Sequence, residues 1–384
     1  MSIRVRDITL IKHYFREYYY KHYKLIATNI RDIESREFAY IDFNLVMHRH
    51  IGLKENEFKE WLIKVNPLHL YHSSAYYLFP DKPMSQKGWE GADLIFDIDL
   101  DHIRGYNPPC IKICSENNTS KKVVSSDDEC RGRVEEKIML DERGILLAKK
   151  ELLKLLNKLN NDFGIKLDEL EIYYSGARGF HVHVYKDEFK ELDSIERMEI
   201  KDYLTLDGFD IGEIRDINNP LISNFITLLL NNSDVLREFI SDGELEKLKS
   251  YVIGGNLNSM LRLLKRNKEV RNTINELIVR LFSVQIDGVV TIDTSRLIRA
   301  PFSLHGKTGL IKKKVKYEEI DEFNPFCDAV RDDEVYVYAK VIYVPNIYWA
   351  GMDINECYDC TLKIPFSLAI YLANLGLAYE FKRV

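Results

Sequence analysis

The sequence predicts a mixed α/β protein: strands and helices sharing one core, with a largely helical insertion in its second half. Short runs rich in apolar, β-branched and aromatic residues recur at 94–101, 170–174, 180–184 and 335–344, bounded by turn residues, as strands require. Longer stretches with apolar residues at every third or fourth position lie between them, at 8–25, around 152–163 and across 187–285, as helices require. A third observation places the chemistry. The apolar run Leu94-Ile95-Phe96 leads straight into Asp97, Asp99 and Asp101.

Composition sets the outer limits. The chain has 384 residues, 46% hydrophobic and 30% charged, enough for one large domain or two ordinary ones. The opening residues lack the apolar core of a secretory signal. The longest apolar run, 366–379, is broken by Asn374 and too short to span a bilayer, so a cytosolic protein is expected. The formal charge of −6 excludes holding a polyanion by bulk electrostatics; local clusters and metal ions would have to do it. Arg262–Arg271 and Lys312–Lys316 are the basic clusters available, and each reads first as a solvated face.

In chain order, Ile11, Tyr14, Phe15, Tyr18, His22 and Tyr23 give the first helix its buried stripe. Strands follow at 36–40 and 44–50, then a helix over 55–65 ended by Asn66-Pro67. Residues 73–79 are tyrosine-rich, and 80–88 form a loop before the aspartate strand. Residues 102–133 show no sustained period and contain Pro108-Pro109, three cysteines and the polar run 115–128, so a loop or small excursion with outside support is expected. Leu152, Leu156, Leu159 and Phe163 share one helical face, with Gly164 as the stop. Residues 170–174 and 180–184 make a hairpin around 175–179. Helices are expected at 194–203, 233–251 and 258–282, a strand at 289–293, another at 335–344 before Pro345, and a last helix at 366–374 before Gly376.

Three segments carry chemistry. On a strand, residues two apart share a face, so Asp97, Asp99 and Asp101 can point the same way. Carboxylates that close repel unless a cation lies between them, and hard oxygen donors suit magnesium or manganese. Sugar-nucleotide transferases, aspartate-nucleophile phosphatases and nucleotidyl polymerases can all place acids this way. The second segment is 174–184, YSGARGFHVHV: its glycines let backbone N–H groups approach a phosphate, Arg178 offers a planar fork, and His181 and His183 share a face. The third is 293–309, DTSRLIRAPFSLHGKTG, with a further acid at Asp293, cations at Arg296 and Arg299, and Ser303, His305 and Lys307 alternating beside glycines.

Taken in this order and spacing, FDIDLD, YSGARGFHVHV and DTSRLIRAPFSLHGKTG closely resemble the small catalytic subunit of archaeal and eukaryotic DNA primases, as do REFAY at 36–40, the arginine of MHRH at 47–50, and GWEGADLIF at 88–96. The resemblance spans roughly residues 30–345. It implies a primase catalytic core occupying 1–101, 134–186 and 286–384, a zinc-type excursion at 102–133 and a helical insertion at 187–285. It implies template-directed synthesis of short primers on single-stranded DNA by two-metal nucleotidyl transfer, in a heterodimer with a primase large subunit. A primase-polymerase of repair or of a mobile element, and an inactive nucleic-acid-binding scaffold, are the alternatives.

By matching positions, Asp97, Asp99 and Asp293 are expected to hold two Mg²⁺ or Mn²⁺ ions. Ser175, Arg178, His181, Ser303, His305 and Lys307 are expected to contact the triphosphate, with Glu37 and Arg49 near the sugar and phosphates. Arg296 and Arg299 add positive field. Ala177 departs from relatives with paired arginines, leaving Arg178 as the sole guanidinium of the hairpin turn. Zinc would be held by Cys110, Cys114 and Cys130, with His102 or a nearby acid as fourth ligand. Cys357 and Cys360 are expected to be structural or free.

Overall fold

The computed structural model describes residues 5–116, 120–124, 126–127, 130–214, 219–231, 233–238 and 240–384. The chain forms two compact units, one from residues 1–152, 167–197 and 286–384, the other from 153–166 and 198–285.

Two four-stranded antiparallel sheets organise the first unit. One runs in the order Leu297–Arg299, His69–Ser73, Phe38–Ile41, Met47–Ile51; the other runs Lys314–Val315, Leu170–Tyr174, Gly179–Val184, Leu94–Asp99. In the second sheet His181 lies opposite Asp97, Gly179 opposite Asp99 and Tyr173 opposite His181. Alternation therefore gathers Asp97, Asp99, His181, His183 and Tyr173 on one face. Phe96, Ile98, Phe180, Val182 and Tyr174 fill the other and are buried. Burying each large apolar side chain contributes about 1.5–3 kcal/mol. A slip of one residue would bury the acids and expose that apolar set, so the pattern fixes the register. At Gly179 a Cβ would stand 1.7 Å from the Ile98 carbonyl oxygen, so only glycine lets these two strands pair there.

The two sheets are tied at the start of the aspartate strand. Asp93 N donates to Ser74 O (2.9 Å), and Ser74 N donates to Arg296 O (2.7 Å). Buried Arg36 donates to the Asp93 carboxylate (2.7 Å) and to the Ser73 and Ser74 carbonyls (3.1 and 2.6 Å). Arg197 holds the Ala92 and Asp93 carbonyls from the other side. Removing one partner of such a buried pair costs several kcal/mol, so the strand is anchored where it enters the site.

Three expectations change. Residues 289–293 do not form a strand: Gly288–Ile292 is a short helix, capped by the Asp287 carboxylate accepting from Val289 N (3.0 Å), with Val290 packed against Ile95 and Ile298. Asp101 is not on the strand face, because the strand ends at Asp99 and Leu100–His102 is a single tight turn. The excursion is a three-stranded sheet, Ser120–Val124, Cys110–Glu116 and Arg133–Ile138, in which Cys114 and Cys130 are bonded to each other. Residues 117–119, 125 and 128–129 of its polar run lie outside the described residues.

The first unit is completed by the helix Val5–Thr28 and by a sheet of Cys357–Pro365, Tyr336–Val344 and Ala378–Arg383, whose buried face packs on the helix Phe366–Leu375. Gly376, at φ +83°, ends that helix. In the second unit Phe225, Leu245, Leu248, Met260, Leu264, Ile274 and Ile278 form an apolar core between helices. Leu264 and Val270 of the Arg262–Arg271 stretch belong to that core, which makes its cations the outer face of ordinary amphipathic helices. Among the described residues no helix is long and apolar enough to cross a membrane.

Candidate active site

Asp97 and Asp99 face outward from the end of their strand, and a third acid joins them. It is Asp287, not Asp293. The Asp287 backbone N–H donates to the Asp97 carbonyl (2.8 Å), which draws this cap residue alongside the strand. The Asp97 carboxyl is pushed up to about 7 by burial and then by the negative charges of Asp99 and Asp287, against a downward pull from Lys312 and Arg296. From Asp287 the short helix runs back along the aspartate strand, with Val290 at Ile95, so Asp293 arrives toward Asp93. There Asp93 and Asp293 both act on Arg197. The four residues from Asp97 back to Asp93 span about 13 Å of strand. The Asp293 carboxylate accepts from Ser295 N (2.9 Å) and Ser295 Oγ (2.8 Å), which commits it to its own turn.

The hairpin turn stands beside these acids. Ser175 Oγ accepts from Ala177 N (3.3 Å) and Gly179 N (3.2 Å), closing the turn, and Gly176 takes φ +85°. Arg178 reaches back to the Asp101 carboxylate and lies 3.8 Å from Asp99 Oδ1, so Asp101 holds the guanidinium while Asp99 remains with the acids. His181 Nε2 is 3.6 Å from Asp97 Oδ1, and its buried Nδ1 has no hydrogen-bond partner among the described residues. Burial, then Lys312 and the nearby arginines, hold that imidazole neutral, far below its usual range.

The 303–309 loop is fastened onto this turn. Thr308 Oγ1 donates to Gly176 O (2.6 Å), and a Cβ on Gly176 would stand 3.0 Å from that of His305. Ser303 Oγ donates to Ala300 O (2.7 Å). His305 is buried; burial and the charges of Arg299, Lys307 and Arg178 keep it neutral. Lys307 projects to solvent from the loop tip. Arg299 is buried against His69 Nδ1 (2.9 Å) and lies over the Tyr71 ring (5.3 Å to the centroid), with no carboxylate partner among the described residues. Glu37 is buried at the edge of the other sheet, where its carboxylate accepts from Arg49 Nε (3.1 Å) and His50 N (3.0 Å) and meets Lys87 Nζ at 3.0 Å. Burial works to raise its pKa, but those donors win and hold it below the usual carboxylate range.

Two participants gave no usable signal in the sequence. Lys87 is one. Lys312 is the other: it opens a lysine cluster that reads as a solvated face, yet it is fully buried, donating to Arg299 O (2.8 Å) and facing His183 Nε2 (3.2 Å). Its neighbours are ordinary surface pairs, Lys314 with Glu171 (2.8 Å) and Lys316 with Glu319 (3.0 Å).

The zinc expectation finds no support. Two of its ligands, Cys114 and Cys130, are bonded together. Cys110 is an exposed free thiol, and His102 Nε2 lies 3.8 Å from Asp287 Oδ2, beside the acids. Cys357 and Cys360 are also joined. Among the described residues no three His, Cys, Asp or Glu side chains are gathered tightly enough to enclose a metal ion. The acids nevertheless fit an open magnesium or manganese site. Such ions are commonly held by one or two carboxylates and completed by water and substrate phosphate, and a cation between these acids would relieve the repulsion by which Asp99 and Asp287 push the Asp97 carboxyl up.

Convergent acids beside a turn and a loop that carry Arg178 and Lys307 fit an enzyme of phosphoryl- or nucleotidyl-transfer type. A family model described as DNA primase small subunit matches residues 145–317. The chain is 33% identical to a DNA primase small subunit of Picrophilus torridus over 94% of its own length and 95% of that protein. It is 35% identical to one from Archaeoglobus fulgidus over 95% and 96%. Among solved structures, the polymerase domain of Mycobacterium tuberculosis ligase D in complex with DNA is similar at 10% identity, covering 81% of this chain and 83% of that one with a TM-score of 0.39. That likeness is too slight to carry weight. The chain belongs to the DNA primase small subunit family, and as such is a DNA-directed nucleotidyltransferase.

Proposed function

We propose that Asp97, Asp99 and Asp287 form the catalytic acid cluster of a primase that builds short primers on single-stranded DNA from nucleoside triphosphates, in partnership with a large subunit. The observation that carries the assignment is the Asp287 N–H on the Asp97 carbonyl, which brings the third acid beside the pair. These three carboxylates would hold divalent cations, which when bound would supply Lewis-acid stabilisation of charge on the α-phosphate and on the attacking 3′-hydroxyl.

The remaining work is positioning and electrostatics. Arg178, Lys307 and Arg299 bind the triphosphate. Asp101 keeps the Arg178 fork oriented. His305 and His181, held neutral, offer hydrogen bonds without adding charge. Ser175 and Ser303 fix the two loops in which these groups sit. Glu37 holds Arg49 at the neighbouring edge for the sugar and phosphates.

Primer synthesis on a single-stranded DNA template with Mg²⁺ or Mn²⁺ tests the reading. The wild type makes products, while Asp97→Ala and Asp99→Ala lose at least about a hundredfold, the scale expected when a metal-binding group is removed. Activity surviving either substitution would refute the acid cluster. Lys307→Ala raises the KM for nucleotide more than it lowers kcat, and an unchanged KM would count against its role.

A further inference from the structure

A groove of about 490 Å³ lies between the first helix, the 42–46 loop and the end of the helix Phe58–Val65. Lys12, His13 and Arg16 line it from one side and Lys64 from another. Of these cations only His13 is in an ion pair among the described residues, with Glu17 at 2.9 Å. Lys12 instead lies over the Phe43 ring at 5.6 Å. Asp42 is the single acid in the lining, and it is already committed: Oδ1 accepts from Asn44 N (2.8 Å) and Val46 N (2.9 Å), and Oδ2 faces His48 at 3.3 Å. Three cations against one carboxylate therefore leave this concavity net positive, in a protein of net charge −6.

The rim adds a second, independent feature. Leu45, Val46 and Met47 follow one another at the tip of the loop with 53%, 49% and 44% of their surface exposed. Three consecutive half-exposed apolar residues make a contiguous apolar surface, the kind that marks an interaction site. Met47 opens Met47–Ile51, the outermost strand of its sheet, with His48, Arg49 and His50. Met47 is only two residues, about 7 Å, from Arg49. The groove is thus continuous with the edge where Arg49 meets Glu37.

We infer that this groove and its apolar rim form a track for the single-stranded DNA template, with Lys12, Arg16 and Lys64 on phosphates and Leu45, Val46 and Met47 against bases. Single strands present both charge and flat apolar faces, and sites for them combine cations with apolar or aromatic platforms. The inference rests on the reading of the chain as a template-directed polymerase.

The test is binding of fluorescein-labelled oligo(dT) to the full chain by anisotropy across NaCl concentrations, alongside primer synthesis. The variant Lys12→Gln/Arg16→Gln/Lys64→Gln weakens binding roughly tenfold or more, and the slope of log K against log salt becomes shallower by about 2, near 0.7 per lost phosphate contact. Its KM for template rises while its KM for nucleotide is unchanged. Leu45→Ser/Val46→Ser, on exposed positions, weakens binding and leaves the slope as it was. A control of equal charge change on the C-terminal sheet, Lys340→Gln/Lys363→Gln/Lys382→Gln, has little effect. Wild-type affinity and slope in the groove variant would overturn the inference, as would an equal loss in the control. So would a groove variant that binds DNA normally but no longer binds the large subunit, which would make the surface a protein-docking site. A wild type that fails to make primers would remove the underlying reading itself; normal synthesis with unchanged template affinity in the groove variant would remove this inference alone.

Discussion

Asp287 and Asp293 are six residues apart, both flank one short helix, and only one of them stands with the acids. A strand at 289–293 would have carried Asp293 to the site. A helix rising 1.5 Å per residue instead leaves its first cap at Asp97 and carries its last toward Asp93. The two substitutions therefore separate by kind. Asp287→Asn is expected to abolish primer synthesis, by about a hundredfold or more, with little change in melting temperature. Asp293→Asn should keep activity within a few fold while costing about 1 kcal/mol, because it weakens the bonds from Ser295. Full activity in Asp287→Asn would remove that residue from the cluster. The Asp287-Gly288 pair, an N-cap residue before a short apolar run, is the sequence signal that would have marked this helix start in place of the expected strand.

At the scale of elements, the excursion at 102–133 shows how a missing periodicity misleads. Its strands are short and mostly half-exposed, so no apolar alternation marks them, and a covalent link between Cys114 and Cys130 supports them. Closing a loop of 16 residues by a bond such as Cys114–Cys130 stabilises by about 3 kcal/mol in the chain-entropy picture. Thiol titration of the denatured, unreduced protein is expected to count two free cysteines, Cys110 and Cys327, rising to six after reduction. Six thiols before reduction, or stoichiometric zinc in the purified protein, would contradict the bonded pairs. The hairpin at 170–184 was fully legible by contrast, since its two runs share one period and the Ser-Gly-Ala-Arg-Gly turn between them permits a single tight closure.

Across the whole molecule, histidines are unusually deep. His69, His72, His183 and His305 are buried, and burial first, then neighbouring arginines and lysines, hold each well below its usual pKa. Folded, they stay neutral; unfolded, they take protons near pH 6.5. Their contribution to stability is thus complete above about pH 6.5 and declines as pH falls, each by up to about 1.4 kcal/mol per pH unit. Glu334, whose pKa burial raises, works in the opposite sense. Urea unfolding is expected to show a lower midpoint at pH 5.5 than at 7.5, with a shallower decline in His72→Gln although that variant is weaker at pH 7.5. An unchanged pH slope in His72→Gln would show that this imidazole is charged in the folded state.

By itself the sequence determined what is local: the aspartate strand, the hairpin and its turn, the long amphipathic helices, and the motifs that mark a primase small subunit. Each depends on a period or a spacing carried within some twenty residues. Tertiary structure decided which acid completes the cluster, that Lys312 is buried under Arg299 and His183 while Lys314 is not, and that two cysteines bond where zinc was expected. Those outcomes depend on which chain segments meet after folding. Charge and burial at such meeting points are set by neighbours distant in sequence, which no local pattern encodes.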